Sequence, residues 1–518
     1  MKKLVILSVF LPQILFSQDG ILDTSFGTEG VFTFHAEDFG ARSNEIVELS
    51  DHSLLFVGNS IFAQYGAQNP RGFYITKLTS NGVLDQSFGN NGYQFYPNGE
   101  NGDSRFKMLI KQNDEKILLS VDLDGDAVLL RIDENGIPDS SFGENGIVHI
   151  DGNWPRINLQ NDKIILEINY TDPDYGQMYS FSRRNTDGSL DLTFGDNGYA
   201  LINPTNYTID GLDSFIIQND GKILISGQAY GGGTYFPGHA TITRLNSNGS
   251  IDTTFGNNGT IINYFTNYVA SWFEEIVLQN DGKLVACGRV YYPNGTGGFP
   301  GVKPIVVRYN PDGSYDNSFG ENGKVIFTET NFDANDSFRR LLVQPDSKIL
   351  LGGTSSYPYP YNRTFLYLTR VSSNGTIDES FGVNGVVVKN FYPGQNKFTN
   401  YIEDLILTEN GKIITIGHKT EDMQYRETFV ARFKNDSLMD IEDFFNFPEL
   451  VAYPNPTQDF ITIKNIKDKF VLYNSIGQKI NVPYIQKENG EFVLNLSYLP
   501  KGVYFLKTVN KSIKLIKD

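Results

Sequence analysis

Seven aspartates recur in one setting along this chain. Asp23, Asp85, Asp139, Asp191, Asp252, Asp316 and Asp378 each open the pattern Asp-x-Ser/Thr-Phe-Gly-x-x-Gly. Two kinds of chemistry suit such a residue. A carboxylate beside a hydroxyl in a glycine-rich turn can ligate calcium. It can equally cap its own turn by accepting hydrogen bonds from backbone amides, while Phe packs between neighbouring units and Gly permits the bend. Seven near-identical copies favour the cap: an active site is rarely needed seven times, but a joint is. The run Asp122-Leu123-Asp124-Gly125-Asp126 begins like a calcium loop yet lacks the distal Glu of an EF-hand, and its Asp-Gly step suits a tight turn between strands. Calcium is the one cofactor left open, and no other is expected.

Nothing else in the sequence assembles a recognisable reaction centre. The five histidines (His35, His52, His149, His239, His418) are scattered, with no HExxH and no i, i+4 pair. There is no Gly-x-Ser-x-Gly elbow and no phosphate loop. Cys287 is the only cysteine, in the apolar run Leu284-Val285-Ala286-Cys287-Gly288, and reads as a buried, inert thiol. No catalytic residue is therefore expected. A carboxylate pair for glycoside hydrolysis stays open, because acidic residues are plentiful and their separations are invisible in a sequence. The formal net charge is −17, and the body before Phe447 carries −21 against +4 for the rest. So acidic a body repels phosphate backbones and argues against nucleic acid as a partner.

The aspartates are spaced 62, 54, 52, 61, 64 and 62 residues apart, and a worn eighth copy follows at Ser437-Leu438-Met439-Asp440. A period near 60 means a repeat architecture. With 38 Phe, 29 Tyr and 51 Gly, the composition favours an all-β fold. In the repeat from Gly249 to Asp312, strands are expected at about Thr260 to Tyr264, Phe273 to Leu278, Leu284 to Gly288 and Pro304 to Arg308. The Asn280-Asp281-Gly282-Lys283 turn joins the middle pair. Four strands per repeat, seven times, predict a seven-bladed β-propeller. A basic residue stands five before the next turn glycine in each copy: Lys77, Arg131, Arg183, Arg244, Arg308 and Arg370, with Arg432 before Ser437. The first motif lacks a preceding strand and the last strand, Thr428 to Arg432, lacks an intact motif. Joining the two ends would close a ring and hide two sheet edges. An open β-solenoid is the alternative.

The aspartate motif resembles the delta-60 repeat of exported bacterial proteins, over roughly Gly20 to Asp440. The resemblance implies a propeller-like repeat of undefined activity and carries over no catalytic residues. Strand alternation puts the one-two and three-four loops of every repeat on one face and the Phe-Gly and Asp-Gly-Lys turns on the other. The first face is variable and aromatic. Its candidate ligand contacts are Tyr235, Phe236, Trp272, Tyr291, Tyr292, Tyr357, Tyr359 and Tyr361. Aromatic faces edged by amides suit a glycan or peptide ligand.

The period stops at Leu450, where short alternating strands predict a small antiparallel β-sandwich. Tyr453-Pro454-Asn455-Pro456, Tyr473-Asn474-Ser475-Ile476-Gly477-Gln478, Leu499-Pro500-Lys501-Gly502-Val503-Tyr504 and the Lys-rich end around Lys514 resemble the type A sorting domain of the type IX secretion system. That resemblance implies a partner, the type IX machinery, and passage across the outer membrane. It also implies removal of the domain, attachment or release at the surface, and a Bacteroidota source. Lys2, Lys3 and the apolar run Leu4 to Phe16 read as a signal peptide, and no later stretch is long and apolar enough to span a membrane. The expected organisation is signal peptide 1–17, propeller 18–445 and sorting domain 446–518. Two functions compete: a non-catalytic surface-binding scaffold, and a secreted hydrolase or lyase acting on polysaccharide.

Overall fold

The computed structural model describes residues 19–34, 40–61, 72–98, 104–151, 155–172, 176–202, 208–230, 238–293, 301–327, 337–357, 363–392, 398–421, 425–435, 451–464, 470–474, 479–487, 491–507 and 512–518. The expected signal peptide, Tyr235, Phe236, Tyr359, Tyr361 and the worn eighth copy lie outside the described residues. The chain forms two compact units, Met1–Asn435 and Asp436–Asp518.

Among the described residues the first unit holds seven four-stranded antiparallel blades, five of them separate sheets and the last two joined into one eight-stranded sheet by a short parallel pairing of Arg363 with Phe398 and Thr364 with Thr399. Strand β1 (Val31–Phe34) stands apart from its sequence neighbours. Six blades then follow in chain order: β2 (Gly40–Glu48) to β5 (Tyr93–Pro97), β6 (Arg105–Lys111) to β9 (Ile147–His149), β10 (Ile157–Gln160) to β13 (Tyr199–Ile202), β14 (Thr208–Ile217) to β17 (Thr260–Ile262), β18 (Ala270–Leu278) to β21 (Lys324–Ile326), and β22 (Ser337–Val343) to β25 (Val386–Lys389). The seventh contains β26 (Phe398–Leu407), β27 (Ile413–Glu421), β28 (Tyr425–Phe433) and, as its fourth strand, β1. Val31 to Phe34 pair with Ala431 to Thr428. The first strands touch in cyclic order, β2 to β6, β10, β14, β18, β22, β26 and back to β2, so the ring is closed. The unit is a seven-bladed propeller whose last blade takes its outer strand from the N-terminal end.

The repeat in the sequence and the blade in space differ in phase by one strand. The segment after each Phe-Gly motif, such as β17, pairs with the sheet before it rather than opening the next. Strands also run longer than their expected apolar cores: β19 (Leu284–Tyr292) continues to Tyr292, and β20 (Gly301–Tyr309) starts at Gly301. Regular pairing from Leu284↔Tyr309 to Tyr292↔Gly301 carries both strands past the apolar segment.

Apolar clusters fill the space between adjacent blades. Leu224, Ile242 and Phe255 of the fourth meet Phe273, Ile305 and Tyr309 of the fifth, and Ile414 and Val430 of the seventh meet Phe26, Phe56 and Tyr74 at the ring closure. Because neighbours cover both faces of a blade, the middle strands are buried throughout, as in β4 (Gly72–Leu78). Cys287 is buried in one of these clusters, and burial pushes its thiol up. In the aspartate-rich run, Leu123 pairs with Asp126 across a turn in which Asp124 and Gly125 take positive φ, 54° and 91°.

The second unit has two four-stranded antiparallel sheets. One is β29 (Val451–Tyr453), β30 (Phe460–Lys464), β34 (Phe492–Asn495) and β33 (Tyr484–Gln486). The other is β32 (Lys479–Ile480), β31 (Val471–Asn474), β35 (Gly502–Lys507) and β36 (Ser512–Lys517). They share one core of Ile461, Ile463, Leu472, Leu494, Leu506 and Leu515, which makes the unit a small sandwich. No helix among the described residues is long and apolar enough to cross a membrane.

Candidate functional site

The repeated aspartates sit at the joints between blades, and Asp252 shows the arrangement. Its Oδ1 accepts from Thr254 N at 3.1 Å and Thr254 Oγ1 at 2.6 Å, closing the turn. Its Oδ2 receives Arg244 Nε at 2.8 Å and Lys222 Nζ at 2.9 Å. Arg244 also reaches the next blade, donating from Nη1 to Pro311 O at 2.6 Å, and its guanidinium lies 4.4 Å from the Phe255 ring centroid. Gly256 N donates across the same joint to Asp312 O at 3.0 Å. Gly313 of the next blade lies so close that a Cβ there would meet Phe255 at 3.0 Å, which explains the turn glycine. The same Arg–Asp contact, 2.6 to 2.9 Å, recurs at Arg131–Asp139, Arg183–Asp191, Arg308–Asp316, Arg370–Asp378 and Arg432–Asp23. Fully buried Arg370 also bonds Asp19 Oδ2 at 2.7 Å and Asn435 Oδ1 at 2.8 Å, tying the two ends of the propeller together.

These contacts fix the protonation of the joints. Burial alone would raise the aspartate pKa values, but hydroxyl, amide, Lys and Arg partners outweigh it. Asp139, Asp191, Asp252 and Asp316 are held well below the usual carboxylate range, and Asp378 is held at about 2. The lysine and arginine occupy Oδ2 and the local hydroxyl and amide occupy Oδ1, so the residues act as latches. Among the described residues no group of three or more His, Cys, Asp or Glu side chains is arranged to hold a metal.

A second constellation was not anticipated. The first strands of all seven blades enclose a cavity of about 380 Å³ lined by Glu45, Lys107, Arg156, Asp213, Glu274, Glu275, Arg340, Glu403 and Asp404. A β-bulge makes this possible. The register shifts at Asn44, Lys107, Asp213, Glu274, Arg339 and Glu403. Such a bulge sets two residues against one on the partner strand and re-aims their side chains. The sequence carried a signal for it: Asn44-Glu45-Ile46, Glu274-Glu275-Ile276, Arg339-Arg340-Leu341 and Glu403-Asp404-Leu405 each place two polar residues in succession, which breaks period-two alternation.

Several of these carboxylates also stitch one blade to the next. Glu45 accepts from Leu109 N at 2.6 Å, Asp404 from Ile46 N at 3.1 Å, and Glu275 from Leu341 N. Arg42 donates to Glu403 Oε1 from Nη2 at 3.0 Å, and His418 Nδ1 lies 3.2 Å from the same oxygen. Protonation states diverge accordingly. Burial pushes Glu275 up to about 7 against the pull of Arg340, and Asp213 up to about 7 against Arg156. Burial also raises Asp404 and Glu45, the latter further by repulsion from Asp404. Glu403 is buried too, but His418, Arg42 and Arg339 hold it at about 2. The cavity therefore offers both protonated and ionised carboxyls near neutral pH.

Part of the aromatic set joins this cavity. Trp272 faces Arg289 across β18 and β19. The Arg289 guanidinium lies 5.3 Å from the Trp272 ring centroid and 6.0 Å from that of Tyr291, and Nη2 is 2.7 Å from cavity-lining Glu274. Lys303 Nζ lies 5.3 Å from the Tyr292 ring centroid. Trp272 Nε1, Arg289 Nε and Asp213 Oδ2 are buried without a hydrogen-bond partner among the described residues. Tyr357 ends β23 (Ile349–Tyr357), opposite Arg363. Of the expected contacts, Trp272 and Tyr291 thus share Arg289 on the fifth blade, and Tyr292 lies on the same strand beside Lys303.

In the sandwich, Asn455 ties down the last strand: Nδ2 donates to Lys514 O and Oδ1 accepts from Ile516 N, both at 2.8 Å. Pro454 and Pro456 flank it in sequence. Tyr504 Oη donates to Pro500 O at 2.7 Å, two residues before Gly502. Residues 218–255, 279–319 and 344–381 match the family described as a domain of unknown function (DUF5122) β-propeller, and 451–518 match the secretion system C-terminal sorting domain. The chain carries DUF5122 propeller repeats and a sorting domain. The sorting domain implies interaction with the type IX machinery and secretion to the cell surface or beyond, as in Bacteroidetes-like bacteria. No curated protein matches this chain. Among solved structures it is similar to the β-propeller domain of the trilobed protease from Pyrococcus furiosus, at 12% identity and TM-score 0.40, covering 76% of this chain and 95% of that one. It is also similar to a protein of unknown function from Dyadobacter fermentans, at 10% identity and TM-score 0.39, covering 78% and 99%. A third similar structure is the polysaccharide lyase Uly1, at 10% identity and TM-score 0.44, covering 80% and 96%.

Proposed function

We propose that this type IX cargo works outside the cell as a non-catalytic binding propeller, with a glycan or peptide held at the central cavity and the aromatic cluster beside it. On this reading the sorting domain is removed after crossing the outer membrane and the propeller remains at the surface or is released. The observation that carries the proposal is the chain Trp272–Arg289–Glu274. It links an aromatic face to a cavity-lining carboxylate and leaves the buried donors Trp272 Nε1 and Arg289 Nε unspent. Unspent buried polar atoms are costly unless a partner satisfies them. Glycan and peptide arrays with the purified propeller test it. Trp272→Ala should lower affinity for at least one array ligand by at least about tenfold, or 1.4 kcal/mol. Binding that is unaffected by that change would overturn the proposed site.

The hydrolase or lyase reading is favoured by a separate observation. Glu275 is held at about 7 and Glu403 at about 2 in one cavity, the divergence that acid–base catalysis uses. Mass analysis of array ligands after incubation distinguishes the two. Cleaved products that vanish in Glu275→Gln would replace the binding reading with the catalytic one.

A further inference from the structure

One blade joint breaks the sevenfold pattern, and it does so at several positions together. Where the other joints place an arginine, the first blade has Lys77, whose Nζ lies 3.9 Å from Asp51 instead of latching Asp85. At the remaining joints the glycine of the Phe-Gly pair donates across to the next turn, as Gly143 N does to Asp187 O at 3.0 Å and Gly195 N to Asn248 O at 2.8 Å. Between the first and second blades the corresponding Gly89 N and Asn135 O make no such bond among the described residues. The outer strand differs as well. Val148, Ala200, Ile261, Val325 and Val387 present apolar side chains at the position where β5 carries Gln94. In the turn, Ile137 and Pro138 stand where the other repeats have Ile-Leu, Val-Leu, Ser-Leu, Ser-Ile, Ser-Tyr or Thr-Ile, so the proline is peculiar to this joint.

The result is an open cleft of about 530 Å³, to which Asn90, Gln94, Asn135, Ile137, Pro138 and the main chain at Gly89 contribute. Ile137 is 60% exposed there. Among the described residues no lining side chain is charged. The cleft thus combines three carboxamides, an unspent main-chain N–H, an unspent carbonyl and a small apolar surface. Carboxamides donate and accept at once, and so do sugar hydroxyls. Ile137 and Pro138 suit the C–H face of a pyranose ring, and the absence of charge selects against uronates, phosphates and basic peptides.

We propose that the cleft between the first and second blades is a binding site for an uncharged saccharide, separate from the central cavity. A hydroxyl bridging Gly89 N and Asn135 O would replace the direct bond that closes the other joints. The proposal does not rest on the function assigned to the cavity.

The test is calorimetric titration of the full chain with maltotriose, cellotriose, xylotriose and mannotriose. At least one should bind. Gln94→Val, which installs the side chain of the closed joints, should weaken that binding at least about tenfold without lowering the melting temperature. Lys77→Arg, which restores the latch, should weaken it too, whereas Trp272→Ala should leave it unchanged. The inference is overturned if none of the four sugars binds, or if binding survives both Gln94→Val and Lys77→Arg. Binding lost only in Trp272→Ala would likewise overturn it by assigning the sugar to the cavity.

Discussion

The latch residues show how a side chain that reads as a turn cap does more once the fold is formed. Asp252 and Arg244 are 5% and 8% exposed, so removing one strands the other in a poorly solvated joint. Breaking such a buried pair costs about 3–5 kcal/mol, against about 1 kcal/mol for a lost cap. Asp252→Ala should therefore destabilise the propeller by about 3 kcal/mol in urea titration, and a loss near about 1 kcal/mol would return the residue to a simple cap. The pH dependence has two limbs of opposite sign. Latch aspartates have depressed folded pKa values, so their contribution is complete above about pH 4 and is lost as pH falls towards the folded values. The cavity carboxyls Glu275 and Asp213 have folded values raised to about 7. The folded state binds more protons than the unfolded chain between about pH 4 and pH 7, so stability falls as pH rises through that window. Melting temperature should peak near about pH 4 to 5 and decline on either side. Glu275→Gln should flatten only the neutral limb; an unchanged neutral limb would show that this carboxyl does not titrate as described.

Strands and turns carry the next level. Phe255 is 2% exposed, lies under Arg244 and packs against the following blade. Phe255→Ala should cost about 3–5 kcal/mol by urea titration, as a cavity in a core does, and a cost below about 1 kcal/mol would mean that the joint collapses to fill the space. Strand β1 is a different case, because its partner β28 lies about 400 positions away in sequence. Deleting residues 19–34 removes the outer strand of the seventh blade together with the Asp19 and Asp23 contacts to Arg370 and Arg432. The bare edge of β28 should then drive self-association. Size-exclusion chromatography should show oligomers or aggregate, and a stable monomer would show that the ring tolerates an open seam. The period of the repeats and the turn glycines made the strands legible, but not their partners. Local spacing cannot say whether the strand after a Phe-Gly motif pairs backwards or forwards, and here it pairs backwards.

For the molecule as a whole, the two units have separate cores, and the boundary falls at Asn435. A chain ending at Asn435 should fold to a propeller with the thermal stability of the full-length protein, because the described inter-blade clusters are built from residues before Asn435. In the source bacterium it should accumulate in the periplasm, since it lacks the sorting domain. Fractionation with an antibody to the propeller measures this, and surface display of the shortened chain would refute the assigned role of the tail.

The sequence by itself determined the repeat, the all-β class, the complementary ends of the ring and the sorting tail. Each of these is written in local spacing: an Asp-x-Ser/Thr-Phe-Gly turn every 52 to 64 residues, and a charge change near Phe447. The tertiary structure alone decided where those pieces act together. Glu45, Asp213, Glu275 and Asp404 are far apart in sequence and unremarked in composition. They become one cavity only because bulged first strands from different blades converge on it. Lys77 and Gln94 look like conservative departures from a repeat. Both belong to one joint, where Gln94 lines a cleft and the main-chain bond between Gly89 N and Asn135 O is missing among the described residues. Periodicity is a property of neighbours along the chain, whereas burial, charge coupling and an unfilled joint are properties of neighbours in space.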